Sequence, residues 1–432
     1  MRIRQWIGSW LVAASVAGAV VAGTVAVTAS DAIDPKIGLS AQRLTRVGAK
    51  AKEFVDANML AGAVTLVFRR GTVADVQAVG WQDKEQRIPM KRDTIFRLAS
   101  MTKPITAVAM LMLVEDGRIA LEDPVDKWLP ELAKRRVLDD PNGPLDKTRP
   151  SPRSITVRDL LMYRMGLGIP SYEPSIDPSA PIAKAFTAFS QGRSSPDEWI
   201  KRLGELPLVA APGERWMYNL PSDVLGVLVA RVSGKPFDAF LNERIFKPLG
   251  MKDTGFWVPP DKRSRLGKAY RLDPAAGLQP MDARFVGGLT GDSPPAFQSG
   301  AAGMVSTADD YLKFARMLLN RGELDGVRLL SPRTVDIMTT NYMTKDDRDK
   351  SGFAGGGYWK IQGFGYGVAV ITDVNALAPS VGSYHWDGAS GVSWRGDPKE
   401  EMITMVLTQL DMQSASRMIR DIRTMMYAAI VN

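Results

Sequence analysis

Residues 100–116, SMTKPITAVAMLMLVED, constrain the fold more than any other stretch of the chain. Apolar side chains fall on nearly every side of a helix drawn through them, so this helix has no face to give to water and must be packed all round. Pro104 fits within its first turns, where a missing backbone N–H costs least, and Asp116-Gly117 ends it. Any fold built on this segment needs layers on both sides of one central helix. Lys103 stands against that demand, in the first turn and three residues after Ser100. Burying an ammonium group is costly, and an apolar residue would pack better there unless the amine has a use.

A serine hydroxyl is a poor nucleophile until a neighbouring base removes its proton. The chain has no cysteine and a single histidine, His385. A cysteine nucleophile and disulfides are therefore excluded, and so is a hydrolytic zinc site built on about three histidine or cysteine ligands. A Ser-His-Asp triad could use only His385, and no G-x-S-x-G elbow occurs; Gly388-Ala389-Ser390-Gly391 has the wrong spacing. Lysine or tyrosine must then serve as the base. Residues three apart on a helix share a face, so Lys103 can reach Ser100. A free lysine titrates near roughly 10.4 and must fall by about 3 units to act as a base at neutral pH. Burial and the positive end of the helix both act in that sense, and the same helix end helps hold an oxyanion beside Ser100. About one S-x-x-K is expected by chance in a chain this long. Here the single instance opens the most apolar helix of the protein. The competing reading is a lysine that snorkels along an apolar helix.

At 432 residues the chain calls for two lobes or one large domain. A helix is expected near 40–57, followed by a hairpin of 63–69 and 73–79 around Arg70-Gly71-Thr72. Residues 138–153, with Pro141, Pro144, Pro150 and Pro152, read as a loop. Capping patterns at Thr156–Asp159, Ser195–Glu198 and Thr307–Asp310 each open a helix. Residues 391–395 and 402–409 read as paired strands, and a final helix gathers Met418, Ile419, Ile422, Met425 and Met426 on one face. The expected class is α+β, an antiparallel sheet flanked by helices plus a mainly helical lobe. The sheet lobe takes about 30–117 and 291–432, the helical lobe about 118–290, and a site between them is expected. The formal charge of +8 is scattered, and no recognisable module speaks for nucleic acid as a partner. The first 29 residues, with Arg2, Arg4 and an Ala/Gly-rich apolar run, read as a cleaved signal that leaves 30–432 secreted or periplasmic; an uncleaved anchor is the alternative. No later segment is long and apolar enough to span a membrane.

Beyond Ser100-x-x-Lys103 come Tyr218 in RWMYNLPSDVLGVLVARVSG and Trp386-Asp387-Gly388 in YHWDGASGVSWRGDP. That order resembles the serine β-lactamase and penicillin-binding-protein superfamily, and most of all its class C-like esterases, the family VIII carboxylesterases. Stretches such as DTIFRLASMTKPITAVAMLMLVEDGRIALEDPV, SITVRDLLMYRMGLG and SGAAGMVSTADDYLKFARMLLNRGELDGVRLLSP extend the likeness over most of 40–430. The resemblance implies a β-lactamase/transpeptidase-like fold, Ser100 as the acylated nucleophile, Lys103 as its base and Tyr218 as a second proton carrier. It also implies an oxyanion hole from the backbone N–H groups of Ser100 and Ala389, with no metal or organic cofactor. Relatives commonly carry K-T-G where Trp386-Asp387-Gly388 stands, so the lysine that would hold a substrate carboxylate is replaced by an indole with one N–H donor. The asparagine of a Y-x-N motif is Leu220 here. Asn219, although expected to point elsewhere, is kept with Trp386 and Gly388 as a candidate substrate contact. Tyr163 and Arg164 depart from the usual pattern without an assigned role, and His385 reads as a strand residue at or near the cleft. The implied function is cleavage of small-molecule carboxylic esters through an acyl-enzyme. The alternatives are a β-lactamase or D-alanyl peptidase, and a non-catalytic penicillin-sensor-like binding module.

Overall fold

Glycine-containing Arg70-Gly71 reverses the chain between Gly62–Arg69 (β1) and Thr72–Asp83 (β2), which pair antiparallel with Ala63 opposite Val79. The computed structural model describes residues 33–34, 36–191, 195–281, 289–354, 357–374 and 379–432; the leader expected over 1–29 lies outside them. Ile88–Pro89 (β3) continues one edge. Gln362–Phe364 (β4), Ala369–Ile371 (β5), Tyr384–Gly388 (β6), Val392–Asp397 (β7) and Met402–Thr408 (β8) complete an eight-stranded antiparallel sheet in the order β4-β5-β6-β7-β8-β1-β2-β3. The C-terminal strands thus join the N-terminal hairpin through β8 and β1, with Met405 opposite Leu66.

Every residue of β1 is buried, because both faces of the sheet are covered. Val64, Leu66 and Phe68 face one core, and Ala63 and Val67 face the other. The second core is closed by Ala41–Asp56 (α1) and Met412–Ala428 (α7). Met418, Ile419, Ile422 and Met426 of α7 are buried as the period-3.6 pattern demands, while Met425 sits partly buried at its margin.

Thr102–Glu115 (α2) lies in the first core, with residues 102–113 all buried. It packs on Pro221–Ser233 (α5) of the helical lobe. Val157–Leu161 (α3) opens with a capping box from Thr156 and Asp159. Ser195 caps Pro196–Glu205 (α4), and Thr307 caps Ala308–Leu319 (α6). The buried polar residues of α2 all turn to one irregular segment. Thr102 Oγ1 accepts from Met304 N, Thr106 Oγ1 donates to Gly300 O, and Lys103 Nζ donates to Ala301 O. Residues 300–304 therefore satisfy the polar side chains of an otherwise apolar helix.

One local feature departs from expectation. The stretch read as a proline-rich loop contains an antiparallel pair, Arg136–Leu138 with Thr148–Pro150, the proline sitting at the end of its strand. The hairpin Tyr270–Asp273/Gly277–Pro280 places Tyr270 and Leu278 in the core with α1 and α7. No helix among the described residues is long and apolar enough to cross a membrane.

Buried Arg69 closes β1. Its guanidinium donates to the carbonyls of Ile37, Gly38, Glu400 and Asn432 and to the Glu400 carboxylate. Arg69→Met keeps the aliphatic stem and removes every donor. It is expected to cost about 3 kcal/mol, as for breaking a buried ion pair, read as a lower urea midpoint at unchanged slope.

Candidate active site

The helix read as starting at Ser100 begins two residues later. Ala99–Met101 forms a 3₁₀ turn, and Ala99 adopts φ +43°, a left-handed conformation that costs a residue with a Cβ. The turn is held from outside. Leu98 N–H donates to Met304 O, and β6 passes so close that a Cβ at Gly388 would lie 2.1 Å from Leu98 O. Only glycine fits there, which gives Gly388 a packing reason for its place.

Ser100 Oγ is 2.8 Å from Lys103 Nζ and 2.7 Å from Tyr218 Oη. Lys103 is 0 % exposed; besides Ser100 it donates to Ala301 O at 2.7 Å, and its Nζ lies 4.6 Å from the centroid of the Tyr218 ring. Buried Asp223 of α5 fixes that carbonyl. Its Oδ1 accepts from Ser299 Oγ at 2.5 Å and from Ala301 N at 3.2 Å. Ser100 is thus within one hydrogen bond of Lys103, three residues on, and of Tyr218, 118 residues on.

Tyr218 is buried in a cluster of rings: Phe353 at 4.5 Å, Trp386 at 5.7 Å, Trp216 and Tyr172 at 5.8 Å and Tyr163 at 5.9 Å between centroids. Burial pushes the phenol above its ordinary range, against the opposing pull of the bonds with Ser100 and Trp386. It is therefore a neutral donor to Ser100 Oγ rather than a resting phenolate. Trp386, 1 % exposed, spends its Nε1–H on Tyr218 Oη at 3.3 Å and stacks under Phe353 at 5.7 Å and 17°. The indole that replaces the lysine of K-T-G is thus a support for the phenol, and its apolar area is covered. Asn219, beside it, is half-buried, and its amide oxygen has no partner among the described residues.

Ala389 is exposed at the end of β6. Its carbonyl accepts from Met412 N at 2.8 Å, and Ser390 Oγ donates to Arg97 O at 2.5 Å. Ser390, the residue after Ala389, is thereby tied to the strip of chain that carries Ser100.

Three contributors escaped the sequence reading. Tyr163, at φ +59°, bonds Ser222 Oγ at 2.5 Å, takes Met217 N–H on its carbonyl and packs on Trp216 and Tyr218. Arg164 pairs with Asp347 and donates to Gly213 O, while Gly213 N–H returns a bond to Arg164 O. Together they hold the 213–218 loop that carries Tyr218. Asp223 is the third. The unusual Tyr163-Arg164 pair was the only visible signal. His385 turns to the opposite face of β6 from Trp386. It is fully buried, with Nε2 2.7 Å from Gln362 Oε1, and burial, with the Arg395 charge adding to it, holds it well below its usual value. It is a neutral sheet residue.

Residues 47–424 match the family described as Beta-lactamase. Protein Rv1367c of Mycobacterium tuberculosis is 42% identical over 366 residues, covering 84% of this chain and 88% of its own. Esterase EstB of Burkholderia gladioli is 33% identical over 369 residues, covering 81% and 86%. Among solved structures, EstCE1, a hydrolase with promiscuous acyltransferase activity, superimposes with a TM-score of 0.74 at 27% identity, over 90% of this chain and 99% of its own. The fold is β-lactamase/transpeptidase-like. The chain belongs to the beta-lactamase family, as a hydrolase related to its esterases and acyltransferases.

Proposed function

We propose that this protein cleaves small carboxylic esters through an acyl-enzyme on Ser100. The observation that carries the reading is the Ser100 hydroxyl set 2.8 Å from the wholly buried Lys103 amine and 2.7 Å from a neutral phenol. Lys103 takes the proton from Oγ as it attacks the ester carbonyl, and the N–H groups of Ser100 and Ala389 hold the oxyanion. Tyr218, pushed toward its neutral form, gives its proton to the departing alkoxide and regains one from Lys103. Water then attacks the acyl group. The same pair takes its proton and returns one to Oγ, releasing acid and free enzyme.

The likeness to EstB, named an esterase, supports this choice. So does the indole at position 386, which offers no ammonium group to the carboxylate of a β-lactam or of a D-alanyl peptide and spends its one donor on Tyr218. The basic, alanine-rich leader supports export, placing the mature protein in a secreted or periplasmic setting.

Ser100→Ala is expected to abolish hydrolysis of a short-chain nitrophenyl ester and mass gain from a fluorophosphonate. Lys103→Ala should keep less than about a tenth of the wild-type rate, because removing an activating base costs orders of magnitude. A chromogenic cephalosporin should be turned over poorly; efficient cephalosporin turnover beside negligible ester cleavage would reverse the choice. Trp386→Phe removes the donor that favours negative charge on Tyr218 while keeping the ring. A kcat about tenfold lower, with the melting temperature little changed, is expected from a lost bond to a developing charge.

A further inference from the structure

The mechanism uses one side of Ser100, where Tyr218 meets the leaving group. On the other side a cavity of about 330 Å³, within the size range of ligand sites, is walled by Ala99, Leu289, Met304 and Ala389. It opens beside the residue preceding the nucleophile and beside the expected oxyanion donor, and neither Tyr218 nor Trp386 lines it. An acyl chain on Ser100 has its carbonyl at Ala389, so the cavity is where the rest of that chain goes.

Its polar wall holds Arg97, three residues before Ser100. The guanidinium donates to Gly267 O at 2.6 Å, its buried Nε has no partner, and among the described residues no carboxylate lies within ion-pair distance. Burial without a counter-charge pulls Arg97 down to about 10. Asp411 also lines the cavity, but its Oδ1 is engaged by Ser414 N–H at the start of α7. A mostly buried cation that lacks an acid partner and borders a ligand-sized space can take an anion, since two parallel N–H donors of a guanidinium match a carboxylate in a fork.

We infer that this cavity is the acyl pocket and that Arg97 binds a second carboxylate at the far end of the acyl chain, making the preferred substrates hemi-esters of short dicarboxylic acids. The inference rests on the ester-hydrolase reading and adds the acid half of the substrate. Arg97 is a binding residue for that group and takes no part in the bond changes.

The test compares nitrophenyl butyrate with the nitrophenyl hemi-ester of glutaric acid on the full chain. The wild type should show kcat/KM at least tenfold higher for the hemi-ester, and Arg97→Gln should lower that ratio at least tenfold, with Arg97→Lys recovering part of it. A ratio cancels any loss common to both substrates. In the wild type, glutarate should slow fluorophosphonate labelling of Ser100 at concentrations where butanol does not, which needs no variant to fold. Equal turnover of the two esters overturns the inference while leaving the esterase intact, and so does a preference that survives in Arg97→Gln. Failure to cleave either ester, with Ser100 unlabelled, overturns the esterase reading beneath it.

Discussion

The amine of Lys103 is removed from water and has to be met on every side, by the Ser100 hydroxyl, the Ala301 carbonyl and the face of the Tyr218 ring. These partners come from the turn before α2, the segment before α6 and the loop before α5. None of them is near in sequence except Ser100. Packing α2 between the sheet and the helical lobe is what brings them together. A helix with one wet face would have let the lysine escape along its own stem. The all-apolar surround and the placement of the amine are therefore one constraint, and Asp223, which fixes Ala301, belongs to it.

Local chemistry was legible in the sequence. The β1–β2 hairpin, the caps at Thr156, Ser195 and Thr307 and the amphipathic α7 are all decided by residues within a few positions of each other. The Ser100–Lys103 spacing was legible for the same reason. Long-range matters were not. Trp386 read as a substrate contact because its replacement of a lysine was visible, but the Phe353 ring that covers it lies 33 residues away in the sequence. Tyr163 and Arg164 stood out only as departures, since their partners Ser222, Met217 and Asp347 are identified by folding alone. The hairpin 270–280 was not read at all, because nothing local says that its Tyr270 and Leu278 enter the core of α1 and α7.

The sheet accounts for how the site stays aligned. β6 carries Trp386 on the face toward Tyr218 and His385 with Asp387 on the other. Asp387 pairs with Arg395 and takes a bond from Ser393, and Ser393 in turn accepts from Arg423 of α7. A buried polar network thus reaches from α7 across that face of the sheet to β6, the strand that leads into Ala389. Such a network fixes geometry more than it adds stability, because its charges are costly to bury.

Three indoles gather around the phenol: Trp386 and Trp216 each within 6 Å of the Tyr218 ring, and Trp359 at 5.0 Å from Trp216. One of them donates a hydrogen bond to the phenol oxygen that stands against Ser100. The Ser100 hydroxyl is in this way two hydrogen bonds from an indole, a built-in fluorophore whose near-ultraviolet emission would respond to a change of charge on the phenol between them.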